Sequence, residues 1–203
     1  MGNGNPALEP TRKLAAQLFV SISREIVSLP RKFLCKFKIM NCIIRPLAAT
    51  DEPFLWEMLY QALYVPESQS TLPREVIHLP ELTRYVQGWG REGDCSFLTS
   101  NAVTGQPVGA VWVRLVVGEG KGYGYVDDDT PELSIAVFPE YRGQGIGTQL
   151  LTHLFASVCG QSSISLSVSA KNPAVKLYNC FGFKVVSRTD ESLLMKRDYR
   201  QSA

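Results

Sequence analysis

A short glycine-rich segment carries the strongest chemical signal in this 203-residue sequence. It reads P-E-Y-R-G-Q-G-I-G-T over residues 139–148 and follows a strand-like run, E-L-S-I-A-V-F, from Glu132 to Phe138. A helical pattern of apolar residues comes directly after it. Glycine lets the backbone approach a phosphate closely, and the free N–H groups at a helix start favour negative charge. The segment therefore predicts a site for a pyrophosphate or another anion.

Two better-known phosphate motifs do not describe this segment. The sequence has no G-x-x-x-x-G-K-[ST] run, and Thr148 stands where the dinucleotide-binding pattern G-x-G-x-x-G requires glycine. What remains is R-x-x-G-x-G, from Arg142 to Gly147. This pattern alone also fits a glycine-rich helix start without a ligand, and that alternative stays open at this point.

A second segment follows 25 residues beyond Gly147 and reads N-P-A-V-K-L-Y from Asn172 to Tyr178, with G-F at Gly182. The two segments together resemble the GCN5-related N-acetyltransferase (GNAT) superfamily. In that family an R/Q-x-x-G-x-G/A loop holds the pyrophosphate of acetyl-CoA, and an N-x-A-x-x-L-Y…G-F segment forms the neighbouring wall. The resemblance is close over Glu132–Val186 and looser, by order of elements, over Met40–Lys196.

The resemblance implies a binding site for acetyl-CoA as a cosubstrate, without a metal. The residues that it assigns to the pyrophosphate are Arg142, Gly143, Gln144, Gly145, Ile146, Gly147 and Thr148. Those that it places beside the pantetheine arm are Ala136, Val137 and Phe138. The backbone N–H near Val137 would polarise the thioester carbonyl. Asn172 would face the cofactor or, alternatively, cap its helix.

The resemblance also implies two proton-transfer groups. Tyr178 matches the tyrosine that protonates the departing CoA thiolate, a role that suits a phenol because it is neutral at pH 7. The alternative is a tyrosine packed in the core with its hydroxyl satisfied locally. Glu132 is the candidate base that takes a proton from an ammonium acceptor, and the alternative is a strand-end charge in solvent.

One departure from the family concerns the acceptor. The branch that acetylates protein N-termini commonly reads E-x-R-x-x-N, whereas this chain reads S-V-S-A-K-N from Ser167 to Asn172. We therefore expect an acetyltransferase that acts on the primary amine of a small molecule, by direct transfer in a ternary complex. A catalytically idle CoA-binding or interaction domain and a protein N-acetyltransferase are the alternatives.

The elements that must position these residues can be predicted from apolar periodicity. Strand-like runs cover residues 41–46, 95–100, 108–117, 132–138, 164–168, 183–186 and 193–196. Helical patterns cover residues 51–63 after a cap at Thr50, and residues 81–87, 146–158 and 173–181. This order predicts a GNAT-like α/β fold, with a mixed, mostly antiparallel sheet, a central β-α-β crossover and flanking helices.

Charge and composition divide the chain near Met40. Residues 1–39 hold seven Lys/Arg against two Glu, and residues 40–203 hold 14 Lys/Arg against 17 Asp/Glu. We expect residues 1–39 to be a dispensable basic extension, with an organelle-targeting segment as the alternative, and residues 40–203 to be the acyltransferase domain. The chain has no uninterrupted apolar run long enough for a membrane span and no basic stripe for a nucleic acid. Five cysteines without a C-x-x-C pair favour the cytoplasm. For the oligomeric state, both a monomer and a homodimer fit the sequence.

Overall fold

The computed structural model describes residues 41–65, 71–157 and 162–199. The basic extension expected over residues 1–39 lies outside the described residues. The domain boundary at Met40 therefore stays a prediction.

Seven strands form one sheet in the order β1-β2-β3-β4-β5-β7-β6. Their bounds are β1 Cys42–Pro46, β2 Cys95–Asn101, β3 Pro107–Arg114, β4 Glu132–Val137, β5 Ser163–Ser169, β6 Lys184–Arg188 and β7 Ser192–Asp198. Every neighbouring pair is antiparallel except β4 and β5, which run parallel. The expectation of a mixed, mostly antiparallel sheet is confirmed.

Four α-helices flank the sheet within the described ranges: α1 Glu52–Ala62, α2 Pro80–Thr83, α3 Ile146–Ala156 and α4 Val175–Cys180. Helix α3 connects the parallel strands β4 and β5, so the predicted central crossover is present. No helix in these ranges is long and apolar enough to cross a membrane.

Several predicted boundaries need correction. The helix predicted over residues 173–181 is α4, which covers only Val175–Cys180. Thr50 does not cap α1, because it lies in a short 3₁₀ turn, Ala49–Asp51, whose Asp51 carboxylate accepts the Ala48 N–H at 2.8 Å. The segment predicted as helical over residues 81–87 is a short helix, α2, that ends at Thr83. Strand β3 ends at Arg114 rather than at Val117, because its partner β4 begins at Glu132, opposite Arg114.

Two apolar clusters pack on the opposite faces of the sheet. One joins β4 and β5 to α3 and α4, and its buried members include Leu133, Leu150 and Tyr178. The other joins β3 and β4 to α1 and to the segment after α2, and its buried members include Leu55 and Tyr85. Side chains of β4 alternate between the two faces. Successive side chains of β4 therefore lie on opposite faces of the sheet and face different clusters.

Candidate active site

Strands β4 and β5 separate soon after they meet. Their register pairs Glu132 with Ser165. Beyond this pair, the described residues of β4 and β5 form no further ladder with each other. The Ser165 N–H donates to the carbonyl of Pro131 at 3.0 Å. The remaining length of both strands, towards Val137 and Ser169, encloses a space that we call the β4–β5 gap.

The backbone of β4 directs N–H groups into this gap. The Phe138 N–H donates to the Val108 carbonyl at 3.0 Å, so that it belongs to the ladder with β3. Because N–H groups alternate in direction along an antiparallel strand, those of Ile135 and Val137 point away from β3 and towards β5. The N–H of Val137 is therefore directed as the oxyanion donor assigned to it requires.

The glycine-rich loop lies at the end of β4 and opens α3. Gly143 and Gly145 have φ angles of 72° and 80°, in the left-handed region that favours glycine. The Gln149 N–H donates to the Gly145 carbonyl at 3.1 Å and closes the first turn of the helix. The first N–H groups of an α-helix have no partner within the helix. The loop therefore presents backbone donors at the start of an eleven-residue helix.

Gly147 lies inside the first turn of α3 and has a packing role. A Cβ atom built at this position would lie 3.2 Å from Cδ2 of Leu177, on α4. The glycine therefore brings α3 close to α4, the helix that carries Tyr178.

Arg142 connects the loop to two other elements. Its Nε donates to the carbonyl of Val137 at 3.0 Å, and its Nη2 donates to the carbonyl of Gln61, at the end of α1, at 3.2 Å. The side chain therefore fixes the end of β4 against α1. Its predicted contact with the pyrophosphate stays a prediction, and Gln61 is a partner that the sequence motif does not identify.

Asn172 bonds within its own turn. Its Oδ1 accepts the Ala174 N–H at 2.9 Å, and its carbonyl accepts the Val175 N–H at 3.1 Å. Asn172 thus closes a turn just before α4, whose N-cap is Ala174 and has no side-chain cap hydrogen bond, so Asn172 is not the cap of this helix. Its contact with the cofactor stays a prediction.

Tyr178 is buried on the face of the sheet that α3 and α4 cover. Its ring packs edge to face against Phe183, with ring centroids 5.9 Å apart. No described residue hydrogen-bonds its hydroxyl. Burial raises the pKa of Tyr178 to about 12, so the phenol keeps its proton at neutral pH. The ring packs in the core as the alternative requires, but the hydroxyl is not satisfied locally.

Glu132 lies on the opposite face and is only 3% exposed. The alternative of a strand-end charge in solvent is therefore wrong. Its Oε2 accepts hydrogen bonds from the Tyr85 hydroxyl at 2.8 Å and from the Gly124 N–H at 2.6 Å. Burial raises the pKa of this carboxyl, and the two hydrogen bonds act in the opposite direction. An environment of this kind makes a carboxylate a stronger base than one in water.

The separation between Glu132 and Val137 limits how this base can act. A strand rises about 3.3 Å per residue, so the Cα atoms of these residues are about 16 Å apart. Ser134 lies between them and shares the face of Glu132, since side chains of a strand alternate. Proton transfer between an acceptor near Val137 and Glu132 therefore needs an intermediate such as water.

The segment before β4 has glycines at alternate positions between Gly118 and Gly124. In the structure it covers Glu132. A Cβ atom at Gly122 would lie 2.1 Å from Oε1 of Glu132, and one at Gly124 would lie 2.7 Å from Oε2. Both positions require glycine because the carboxylate occupies the space of a side chain.

A family model and a pair of curated relatives match parts of the chain. Residues 98–185 match the model described as acetyltransferase (GNAT) domain. A stretch of 50 residues is 46% identical to cysteine-rich protein 2-binding protein of Mus musculus, and a stretch of 48 residues is 48% identical to that of Homo sapiens. The alignments cover 25% and 24% of this chain but 6% of each relative, so the chain matches only a small part of their length.

Solved structures share the fold over most of the chain. The ribosomal-protein-S18-alanine N-acetyltransferase of Escherichia coli is 21% identical, with a TM-score of 0.54 over 80% of this chain and 97% of that one. The Salmonella typhimurium protein yncA with its cofactor acetyl-CoA is 20% identical, with a TM-score of 0.53 over 80% and 96%. The PaiA N-acetyltransferase of Thermoplasma acidophilum in complex with coenzyme A is 19% identical, with a TM-score of 0.51 over 79% and 100%. Likeness at these identities concerns the fold.

Proposed function

We propose that this chain, which carries a GNAT acetyltransferase domain, transfers an acetyl group from acetyl-CoA to a primary amine. The observation that carries the proposal is the β4–β5 gap with the glycine-rich loop at its end. A backbone donor faces the gap at Val137, and free helix N–H groups lie a few residues further on. This combination suits a ligand with a polarisable carbonyl at one end and a pyrophosphate beyond it.

The binding residues of this site are proposed from the loop geometry. Backbone N–H groups between Gly143 and Thr148 would hold the pyrophosphate, and β4 from Ala136 to Phe138 would run beside the pantetheine arm. The left-handed glycines and the helix start supply several donors without a side chain in the way. Acetyl-CoA supplies a thioester, whose carbonyl carbon is open to attack by an amine.

The proposed transfer forms one bond and breaks another. The amine nitrogen attacks the thioester carbon, the C–N bond forms and the C–S bond breaks, and the electron pair of the C–S bond leaves with the thiolate. Through water, Glu132 takes the proton that the ammonium gives up before the attack, and Tyr178 gives its proton to the thiolate. The second proton, which the nitrogen loses as the amide forms, passes through water to the Tyr178 phenolate and restores the phenol. These two side chains lie on opposite faces of the sheet. Base and acid can therefore serve the incoming and the leaving group from different sides.

A small-molecule acceptor is the proposed class. Its support is the segment Ser167–Asn172, which lacks the glutamate of the branch that acetylates protein N-termini. The buried Glu132 supports it as well, since a carboxylate beneath the Gly122–Gly124 segment is reached more easily by a small group or by water than by a folded protein surface. The cytoplasm stays the proposed location.

Calorimetry and a thiol assay test the proposal together. The chain should bind acetyl-CoA, and free CoA should form faster with amines than without them, in a panel of alkylamines, diamines, amino acids and short peptides with free N-termini. Release with the peptides alone would favour the protein N-acetyltransferase. Binding without amine-dependent release across the whole panel would support the idle CoA-binding domain instead.

A further inference from the structure

Tyr85 connects the candidate base to the loop that covers it. The side chain is 7% exposed and belongs to the cluster on the face of Glu132. Its hydroxyl donates to Oε2 of Glu132 at 2.8 Å and accepts the Tyr123 N–H at 2.7 Å. A single hydroxyl therefore fixes both the carboxylate and the backbone of the loop.

The segment that carries Tyr85 holds this loop at a second point. Arg84 Nη1 donates to the Lys121 carbonyl at 2.6 Å. Gly124 adds its own N–H to Oε2 of Glu132 at 2.6 Å. The backbone from Lys121 to Gly124 is thus fixed by groups from the segment after α2 and from β4.

These contacts leave the two carboxylate oxygens in different environments. Oε2 has two donors, whereas Oε1 is buried and has no hydrogen-bond partner. The N–H of Gly122 lowers the pKa of the carboxyl without completing a hydrogen bond to Oε1. Since a Cβ at Gly122 would lie 2.1 Å from Oε1, only glycine at this position leaves room for the oxygen.

Charged groups on the neighbouring strands and on the segment that carries Tyr85 are engaged elsewhere. On β3, the side chain of Arg114 pairs with Asp94 at 2.6 Å. On β7, Lys196 stands opposite Ser165, the partner of Glu132, and pairs with Asp127 at 3.3 Å. The Arg84 guanidinium lowers the pKa of Glu132, but its hydrogen bonds go to backbone carbonyls. The Tyr85 hydroxyl is therefore the side-chain donor that contacts the carboxylate directly.

We infer that Tyr85 is the positioning residue of the base: it holds Oε2 of Glu132 so that Oε1 is the atom that receives the proton. The inference rests on the proposed function, because the proposed transfer requires a base and Glu132 is the residue assigned to that role. The Tyr85 hydroxyl stabilises the charged carboxylate, so its loss raises the pKa of Glu132 and moves the low-pH limit of activity upwards.

The test measures the pKa of Glu132 by NMR of the labelled side-chain carboxyl carbon in the full chain, with Glu132→Gln to assign the signal. Tyr85→Phe should raise this pKa by about one to two units, the scale of one hydrogen bond to a charged group. The low-pH limb of kcat/KM for an amine that the thiol assay identifies should move by the same amount. A ring-fluorinated tyrosine at position 85, which keeps the shape and is a stronger donor, should lower the pKa.

Tyr125→Phe is the matched control, because the Tyr125 hydroxyl donates to a carboxylate of the exposed loop, Asp128, at 2.8 Å. It should leave the pKa of Glu132 and acetyl-CoA affinity unchanged. An unchanged pKa in both Tyr85 variants, or a shifted pKa without movement of the low-pH limb, overturns the inference. Failure of the proposed function is seen separately, as a wild-type chain that releases no CoA with any amine.

Discussion

Gly145 offers the sharpest test of where the cofactor binds. It has a φ angle of 80° and is the N-terminal cap of α3, and no atom lies within 4 Å of the position that its Cβ would take. Gly145→Glu therefore places a negatively charged side chain in open space at the helix start, where the pyrophosphate is proposed to lie. Gly147→Glu would add the same negative charge to the first turn of α3. The contact between Gly147 and Leu177 makes that second variant disturb helix packing as well.

The size of the effect follows from the donors that are lost. Hydrogen bonds to charged groups contribute about 1.5–3 kcal/mol each. Loss of two N–H contacts to phosphate would thus cost about 3–6 kcal/mol, which is a Kd weaker by roughly 10²- to 10⁴-fold. Strain from a side chain in the left-handed region is about 1–2 kcal/mol and lowers the free energy of unfolding rather than the affinity of the folded chain.

Gly105→Glu is the matched control. Gly105 has a φ angle of 72° in the turn between β2 and β3, and its Cβ position is also open. Both variants should stay folded by circular dichroism, with similar losses of thermal stability. Calorimetry should show normal acetyl-CoA binding for Gly105→Glu and no measurable binding for Gly145→Glu. Equal affinities in the two folded variants would mean that the pyrophosphate does not lie at this loop.

The remaining predictions concern the proton-transfer groups, the extension and the core. Tyr178→Phe should keep acetyl-CoA affinity and lose roughly 10²- to 10⁴-fold in turnover at every pH. Turnover of Glu132→Gln should recover partly at high pH, where more amine is already deprotonated. Recovery of Tyr178→Phe at high pH instead would mean that the tyrosine acts as the base and the glutamate as the acid. A chain that starts at Met40 should fold and bind acetyl-CoA within tenfold of the full chain by calorimetry. Arg114→Met breaks a buried ion pair and should lower the free energy of unfolding in urea by about 3–5 kcal/mol, against at most about 1 kcal/mol for the exposed Arg74→Met. Equal losses in the two variants would mean that the buried Arg114–Asp94 pair matters no more to stability than an exposed one.

The pH dependence of the wild-type chain follows from the carboxyl at Glu132. Burial raises its pKa from the ordinary value of glutamate. A base is active only when deprotonated, so turnover should fall as the pH drops through this raised pKa and should level off above it. A rate profile whose low-pH limb lies at the ordinary glutamate pKa would argue against a buried base.

The order of elements and the position of the glycine-rich loop at the start of α3 could be predicted because their signals are local. The change from strand-like to helical periodicity around Gly145 depends on neighbouring residues only. The end of β3 is different, because it is decided by the partner strand: the apolar pattern continues to Val117, but the ladder stops at Arg114.

The surroundings of Glu132 could not be predicted, because its partner Tyr85 lies 47 positions away in the chain. In the sequence, neither a tyrosine in a short helical segment nor glycines at alternate positions indicate a contact with Glu132. Only the folded chain brings the Tyr85 hydroxyl, the Gly124 N–H and the carboxylate together. The sequence therefore indicates which residue could act as a base, and the packing indicates how it is held.

The most direct test of acetyl transfer from acetyl-CoA to an amine follows the acetyl group itself. Acetyl-CoA labelled in its carbonyl carbon is incubated with the chain and the amine panel, and NMR detects where the label goes. We expect the thioester signal to be replaced by an amide signal only when both chain and amine are present, and Gly145→Glu to abolish this conversion. Conversion to free acetate without an amide, or no conversion with any amine in the panel, would contradict it.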